Sequence, residues 1–432
     1  MLTQGWGSYP KINAQIHSPQ NNDEIIKILK SENFITRGMG KSYGDSSLAN
    51  NILSTLKFNQ ILSFDKKNGI LICQSGVTLS KILDLILKDN WFLPVTPGTS
   101  YVTIGGCLAS DVHGKNHHIE GAISEFIDSF TILLGNGEIL ECSRKNNNDL
   151  FFATCGGMGL TGIILTLQIK LKKITSGFIK NENIKNRSIG ELISQIEVNK
   201  NKPYSVAWID TNRGTIDNFK SILYLGEHNY NNFNSFKKKR REFSINNNFP
   251  SFLLNNYSMK IFNQLFYLKQ KQNHKNVISL KEYFYPLDVL SNWNNLYGKR
   301  GFIQYQFVIP KENIINNLKK IFDIFSKNYE YSFLTTLKSM GNQNKNHLSF
   351  PKEGYTVAQD FKFNNNLPKL IKYVDSMIAD FGGRIYLTKD ALLSEKIFKK
   401  TYQKWYEFEN IRSKYFAVGK FQSLQSKRIG LQ

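Results

Sequence analysis

Apolar residues recur along this chain at two spacings, and the spacing separates its helices from its strands. Residues 23–30 place Ile25, Ile26, Ile28 and Leu29 at helical intervals behind Asn21 or Asn22 as a cap, predicting a short amphipathic helix. Residues 79–88 do the same with Ile82, Leu83, Leu85 and Ile86. Short apolar runs predict strands at 33–36 and 69–74. The run 123–134, the turn Gly135-Asn136-Gly137 and the run 138–142 read as a hairpin, because Asn-Gly suits a tight turn. An alternating strand follows at 164–171. Beyond about residue 175 glycine thins while Asn, Lys and aromatic residues rise, which marks a domain boundary. Strands are predicted there at 204–210, 302–309 and 355–362, with helices at 314–327 and 367–381. Residues 384–390 are strand-like and lead into charged helical sequence. A sheet with covering helices makes the chain α+β.

Three glycine-rich stretches follow neither period. The first is Thr36-Arg37-Gly38-Met39-Gly40-Lys41-Ser42-Tyr43-Gly44-Asp45-Ser46. The second spans residues 97–118 and holds four glycines and three of the seven histidines; the third spans residues 151–164. Glycine lets a backbone approach a ligand closely and aim successive N–H groups at negative charge. Two such turns suggest one extended diphosphate ligand gripped from two sides. Neither matches a GxGxxG fingerprint or a GxxxxGK[ST] loop, which argues against an NTPase. A diphosphate held mainly by main-chain N–H groups, as in several FAD enzymes, is what remains.

Composition narrows the partners. The net charge is +22, yet only ten of the 56 basic residues are Arg, and Lys, Asn and Ile are abundant throughout, as an AT-rich genome would produce. No basic–aromatic module or zinc spacing accompanies the charge, so nucleic acid is not the expected partner. Phosphate-bearing substrates or anionic headgroups fit better. The basic run 236–241 precedes apolar segments at 249–254 and 261–268. Two readings stand there: peripheral membrane contact, or a solvated loop followed by an ordinary core helix. Cys73, Cys107, Cys142 and Cys155 form no CxxC pair and read as reduced, buried thiols. The first residues lack the pattern of a signal peptide, and no window reaches the length of a membrane span, so the expected location is cytoplasmic, including the inner membrane face.

The motifs together carry a resemblance. Arg37-Gly38-Met39-Gly40-Lys41-Ser42-Tyr43-Gly44-Asp45, the run from Pro97 through Thr103-Ile104-Gly105-Gly106 to Asp111-Val112-His113-Gly114-Lys115, and residues 151–163 resemble the vanillyl-alcohol-oxidase-type (PCMH-type) flavoproteins. Gln304-Tyr305-Gln306, Lys338 and Tyr386 with Lys389-Asp390 extend the likeness to the oxidase subunits of decaprenylphosphoryl-ribose 2′-epimerases. The resemblance implies a bipartite FAD-binding domain, residues 1–175 and 384–432, with an inserted antiparallel-sheet substrate domain, residues 176–383, covered by helices. It implies FAD contacts from Arg37, Gly38, Gly40, Lys41, Ser42, Tyr43, Gly44, Gly98, Thr103, Gly105, Gly106, Ser110, His113, Lys115, Ile163 and Tyr386. Many relatives attach FAD through a His in the first turn. Lys41 stands there, so the FAD is expected to be noncovalent.

The reaction implied is oxidation of a sugar secondary alcohol, with hydride passing to the flavin. Lys389 matches the family's essential lysine and fits either proton acceptor or cation near the reduced flavin. Lys338, Lys115 and His113 are candidates for substrate phosphate, flavin face or water exclusion. Gln304 and Gln306 lie two apart on a predicted strand and so share a face, where an amide can orient a hydroxyl. Tyr283 and Tyr285 are further candidates for the pocket. His117 and His118 read as structural, Asp45 as a turn cap or an FAD contact, and the three histidines as no metal site without converging ligands. Thr356 and Ala358 replace the family's frequent Asn and Cys on the substrate side, which leaves the sugar and its carrier open. The substrate expected is a polyprenyl-phosphate-linked pentose, with a short-chain dehydrogenase/reductase completing an epimerisation. The alternatives are a soluble aldonolactone or alditol, or a flavin-free scaffold.

Overall fold

The computed structural model describes residues 1–211, 219–230, 243–250 and 254–431. The basic run 236–241 and residues 251–253 lie outside them. Near the N-terminus the strands Gln15–His17, Asn51–Ser54 and Ile35–Arg37 form a parallel sheet. An antiparallel sheet follows, in the order Ile139–Ser143, Ile127–Leu133, Ile163–Lys170, Ile70–Gln74, Ile61–Asp65. The expected hairpin is present, pairing Ile139 with Leu133 across the Gly135–Gly137 turn. Both amphipathic helices form. Asn22–Ser31 is capped by the Asn21 side chain, and Leu79–Ile86 by Thr78.

The second part is an eight-stranded antiparallel sheet. Its order is His274–Ser279, Phe178–Asn186, Lys220–His228, Tyr204–Asp210, Thr335–Met340, Gly354–Lys362, Phe302–Ile309, Arg384–Ile385. Strand periodicity divides its residues between two faces. Ile303, Tyr305, Phe307 and Ile309, with Leu337 and Val357, enter a core shared with the helices Ile189–Val198, Ile314–Lys327 and Leu367–Asp380. Gln304, Gln306, Thr336, Lys338 and Ala358 point the other way. The architecture is thus α+β, with a helix-covered antiparallel sheet beside the glycine-turn part.

The C-terminal helices Glu395–Thr401, Trp405–Lys414 and Leu424–Arg428 return to the N-terminal part. Phe34 packs edge-on against Phe421, and the fully buried Arg412 donates from Nε to Leu160 O at 3.0 Å. One expected strand is shorter than its pattern. Only Arg384–Ile385 is extended; residues 386–390 form a turn in which Lys389 N and Asp390 N both donate to Tyr386 O. A second difference concerns residues 261–268. They belong to the helix Asn256–Lys269, but Ile261, Phe262, Leu265 and Leu268 are exposed and not in a core.

Candidate active site

A cleft of about 350 Å³ lies between the uncovered sheet face and the glycine turns, within the ordinary range for small-molecule sites. Sixteen of the residues expected to act line it: Arg37, Gly38, Gly40, Lys41, Ser42, Tyr43, Gly98, Thr103, Gly105, Gly106, Ser110, His113, Gln306, Lys338, Tyr386 and Lys389. Gln304 and Ala358 line it too. Three candidates do not. Gly44 is packed so tightly that an added Cβ would sit 1.7 Å from Asp390 O. The Lys115 amine turns to Tyr283 O and lies 4.3 Å from the Tyr283 ring centre. Ile163 faces the core, and by strand alternation its neighbours Gly162 and Ile164 reach the cleft. Tyr283 and Tyr285 also stay outside it: Tyr285 Oη is 2.6 Å from Thr96 Oγ1, and Tyr283 donates to Tyr204 O at 3.4 Å. Thr356 is buried behind the cleft wall, where its hydroxyl donates to Phe307 O at 2.8 Å.

The glycines of the two turns let the backbones meet. A Cβ on Gly38 would fall 2.2 Å from Thr103 Oγ1, so the turns touch there. Gly40 has φ +63° and presses on the Arg37 guanidinium, which is held by Gln4 O at 2.7 Å and Ser47 Oγ at 3.2 Å. Tyr43 N donates to Thr388 O, closing the first turn onto the turn that carries Lys389. Among the described residues, the backbone N–H groups of Met39, Gly40, Lys41 and Ser42 have no partner within the chain. Four consecutive donors left open on a cleft wall suit an anionic ligand. Gly98, opposite, has nothing within 4 Å of the position a Cβ would take, leaving room for one. This cradle fits a cofactor with a diphosphate.

The chemical wall is built from His113, Gln306, Lys338 and Lys389. The Gln306 amide nitrogen donates to His113 Nε2 at 3.0 Å and to Thr356 Oγ1 at 3.1 Å. Lys338 Nζ lies 3.2 Å from His113 Nδ1. Burial, reinforced by Lys338, holds the His113 imidazole well below its usual pKa, so the ring is neutral. Its ring centre lies 5.4 Å from that of Tyr386, whose own ring stacks on Phe350 at 4.4 Å. Tyr386 Oη donates to Ser110 O at 2.8 Å. Burial also lowers the amines: Lys338 to about 8, and Lys389 to about 7. Asp360 opposes the shift at Lys389, and Lys338 adds to it. Lys389 Nζ sits 3.8 Å over the Tyr43 ring.

Several contributors escaped sequence reasoning. Asp360 lies directly across the strand pair from Gln304, accepts its amide at 2.6 Å and accepts Tyr297 Oη at 3.2 Å. Burial raises its pKa to about 6. Trp6 and Trp293 meet edge-on at the cleft, with Lys41 Nζ 3.3 Å over the Trp6 ring. Asp45 proves to be neither a turn cap alone nor a cleft residue. Arg428 binds it through Nε and Nη2 at 3.1 and 2.7 Å, and reaches Asp390 at 2.8 Å. His117 Nδ1 accepts from Gly341 N, and His118 Nε2 meets Lys202 O, a structural use of both rings. All four cysteines are free and buried.

Comparison with known proteins gives the ligand its identity. Residues 13–143 match the FAD binding domain family. The chain is an FAD-dependent oxidoreductase. This flavoenzyme is 29% identical to the decaprenylphosphoryl-beta-D-ribose oxidase of Mycolicibacterium smegmatis, over 99% of its own length and 97% of that enzyme's. The L-gulonolactone oxidase of Mus musculus is 25% identical over 38% of each chain. The D-arabinono-1,4-lactone oxidase of Candida glabrata is 27% identical over 35% of this chain and 31% of its own. No helix among the described residues is long and apolar enough to cross a membrane.

Proposed function

We propose that this flavoenzyme oxidises a secondary hydroxyl of a polyprenyl-phosphate-linked pentose to the ketone, as the first half of an epimerisation. A separate short-chain dehydrogenase/reductase would reduce the keto sugar. The observation that carries this reading is the similarity to the mycobacterial decaprenylphosphoryl-ribose oxidase along nearly the whole of both chains. The lactone oxidases align with under two-fifths of this chain, too little to bear on the substrate wall. The domain limits proposed are residues 1–175 with 384–432 for FAD and 176–383 for substrate.

Residues 37–43, Gly98, residues 103–106 and Ser110 would hold FAD noncovalently, Lys41 occupying the place of an attaching His. Bound FAD supplies the redox chemistry by accepting hydride. The chain's own residues do the rest. Gln306 spends its amide hydrogens on His113 and Thr356, leaving its carbonyl oxygen to accept from a substrate hydroxyl. Lys389, near neutrality in its pKa, accepts the hydroxyl proton at Nζ as the carbonyl forms. Lys338 Nζ stands 3.2 Å from His113 Nδ1, and neutral His113 with Phe350 and Tyr386 excludes water.

Anaerobic incubation of the purified holoenzyme with each substrate class tests the reading. Bleaching of the flavin by a polyprenyl-phosphoryl pentose, and not by free aldonolactones or alditols, is the expected result. Bleaching by the soluble sugars alone would overturn it.

A further inference from the structure

One face of the Asn256–Lys269 helix is apolar and open. Met259, Asn263 and Tyr267 turn inward. Tyr267 joins Trp208 and Ile222 in a small cluster on the sheet, flanked by Phe266 and Leu334. The outer arc carries Tyr257, Ile261, Phe262, Leu265 and Leu268, between 57% and 81% exposed. At about 100° per residue, Tyr257, Ile261, Leu265 and Leu268 fall within roughly 80° of one another. No described residue covers them. A contiguous group of large apolar side chains facing water marks a contact surface.

Charge selects what the surface meets. Residues 243–281 contain five lysines, at 260, 269, 271, 275 and 281, and no Asp or Glu, within a chain of net charge +22. All five lysines are exposed; Lys275 and Lys281 lie 3.8 and 3.4 Å from Glu182 and Asp84, which leaves Lys260, Lys269 and Lys271 as the charge nearest the apolar arc in sequence. A second copy of the chain seated on this face would set like charge against like charge. An anionic lipid surface complements both features at once, taking the apolar arc among its acyl chains and the ammonium groups among its headgroups. We propose that this helix docks the enzyme peripherally on an anionic membrane.

The position of the helix gives docking a purpose, one that rests on the proposed lipid-linked substrate. Leu334 packs at the edge of the cluster under the helix and also lines the cleft. Docking there brings the cleft beside the bilayer in which a polyprenyl carrier is dissolved.

The test is co-sedimentation of the full-length holoenzyme with vesicles of phosphatidylglycerol and phosphatidylethanolamine, against vesicles of phosphatidylcholine alone. Binding to the anionic vesicles is expected to be stronger by about tenfold or more, and to weaken as salt is raised. Ile261→Glu with Leu265→Glu, and separately Tyr257→Glu with Leu268→Glu, should each cut it about tenfold or more. Val198→Glu, at an exposed apolar residue of the helix Ile189–Val198, should not. Retained flavin absorbance shows that each variant is folded. Equal sedimentation with both lipids, variants that sediment as the parent does, or a dimer that the glutamates dissociate would each overturn the proposal. Flavin bleaching by a short-chain, water-soluble substrate analogue is read in parallel without vesicles. Its failure counts against the proposed reaction alone, and failed vesicle binding with intact bleaching counts against the docking face alone.

Discussion

Two roles for Lys389 predict opposite dependences on pH. A neutral amine that takes the hydroxyl proton makes flavin reduction faster as pH rises through the amine's pKa. A cation held against developing negative charge makes it slower. Burial lowers both amines of the wall, Lys389 to about 7 and Lys338 to about 8. Reductive half-reaction rates measured by stopped flow should rise with pH across neutrality. The negative charge of bound cofactor moves the midpoint upward, which makes the sign of the slope the test and not its position. Lys389→Met should remove the slope and slow reduction by about 10²–10⁴-fold while FAD still binds. A rate that falls with pH in the parent enzyme would assign Lys389 the cationic role.

Lys389 is only as well placed as the turn that carries it, and three elements hold that turn. Asp390 Oδ1 accepts from Leu392 N at 2.8 Å and Leu393 N at 2.7 Å, while Oδ2 takes Gln425 Nε2 and Arg428 Nη2. The same guanidinium holds Asp45 of the first glycine turn. Arg428 thus ties the C-terminal helix Leu424–Arg428 to both sides of the cleft. Both carboxylates are buried, so losing the cation strands two negative charges. Arg428→Met should lower the unfolding free energy by about 3 kcal/mol in a denaturant titration. It should also loosen FAD, and adding Asp45→Asn should recover part of the loss. Arg428→Lys should recover less than the parent, because an ammonium lacks the planar fork that spans two carboxylates. An unchanged midpoint in Arg428→Met would show that the clamp contributes nothing. None of this was legible in the sequence, where Asp45 and Arg428 stand 383 positions apart. What could be read was local. Residues 204–210, 302–309 and 314–327 form the elements their periodicity predicts, and the glycine turns announce themselves because their backbone geometry needs glycine. Residues 384–390 alternate like a strand but only begin as one, since the turn is imposed by Asp390 and its partners. Asp360 escaped for a related reason. Its role depends on lying opposite Gln304, a cross-strand register that no single strand encodes.

For the whole molecule, three buried amines, two in the wall and Lys115 behind it, make stability depend on the cofactor and on pH. Lys115 and Lys389 are lowered by burial to about 7 and Lys338 to about 8, against 10.5 for an unperturbed lysine. Between those values the unfolded chain binds protons that the folded chain does not. Stability from these groups therefore rises with pH across that interval. The raised carboxylates act in the opposite direction but lower down, Asp360 titrating at about 6 and Asp375 at about 7. The buried tyrosines, raised from 10, enter only above it. A window from about pH 7.5 to about 8.5 leaves the amines the largest contribution, below the range in which the four buried cysteines, raised from 9 by burial, oppose them. In that window the melting temperature of the FAD-free protein should climb. Loading FAD should flatten the climb, since its negative charge favours the ammonium forms and moves their pKa values part of the way back up. General relief of the +22 net charge would also raise stability with pH, so the decisive comparison is with Lys338→Met combined with Lys389→Met. That FAD-free variant should show a shallower climb than the parent. Equal slopes would mean that the amines are paired or solvated in the FAD-free protein and that the site is not held in readiness for an anion.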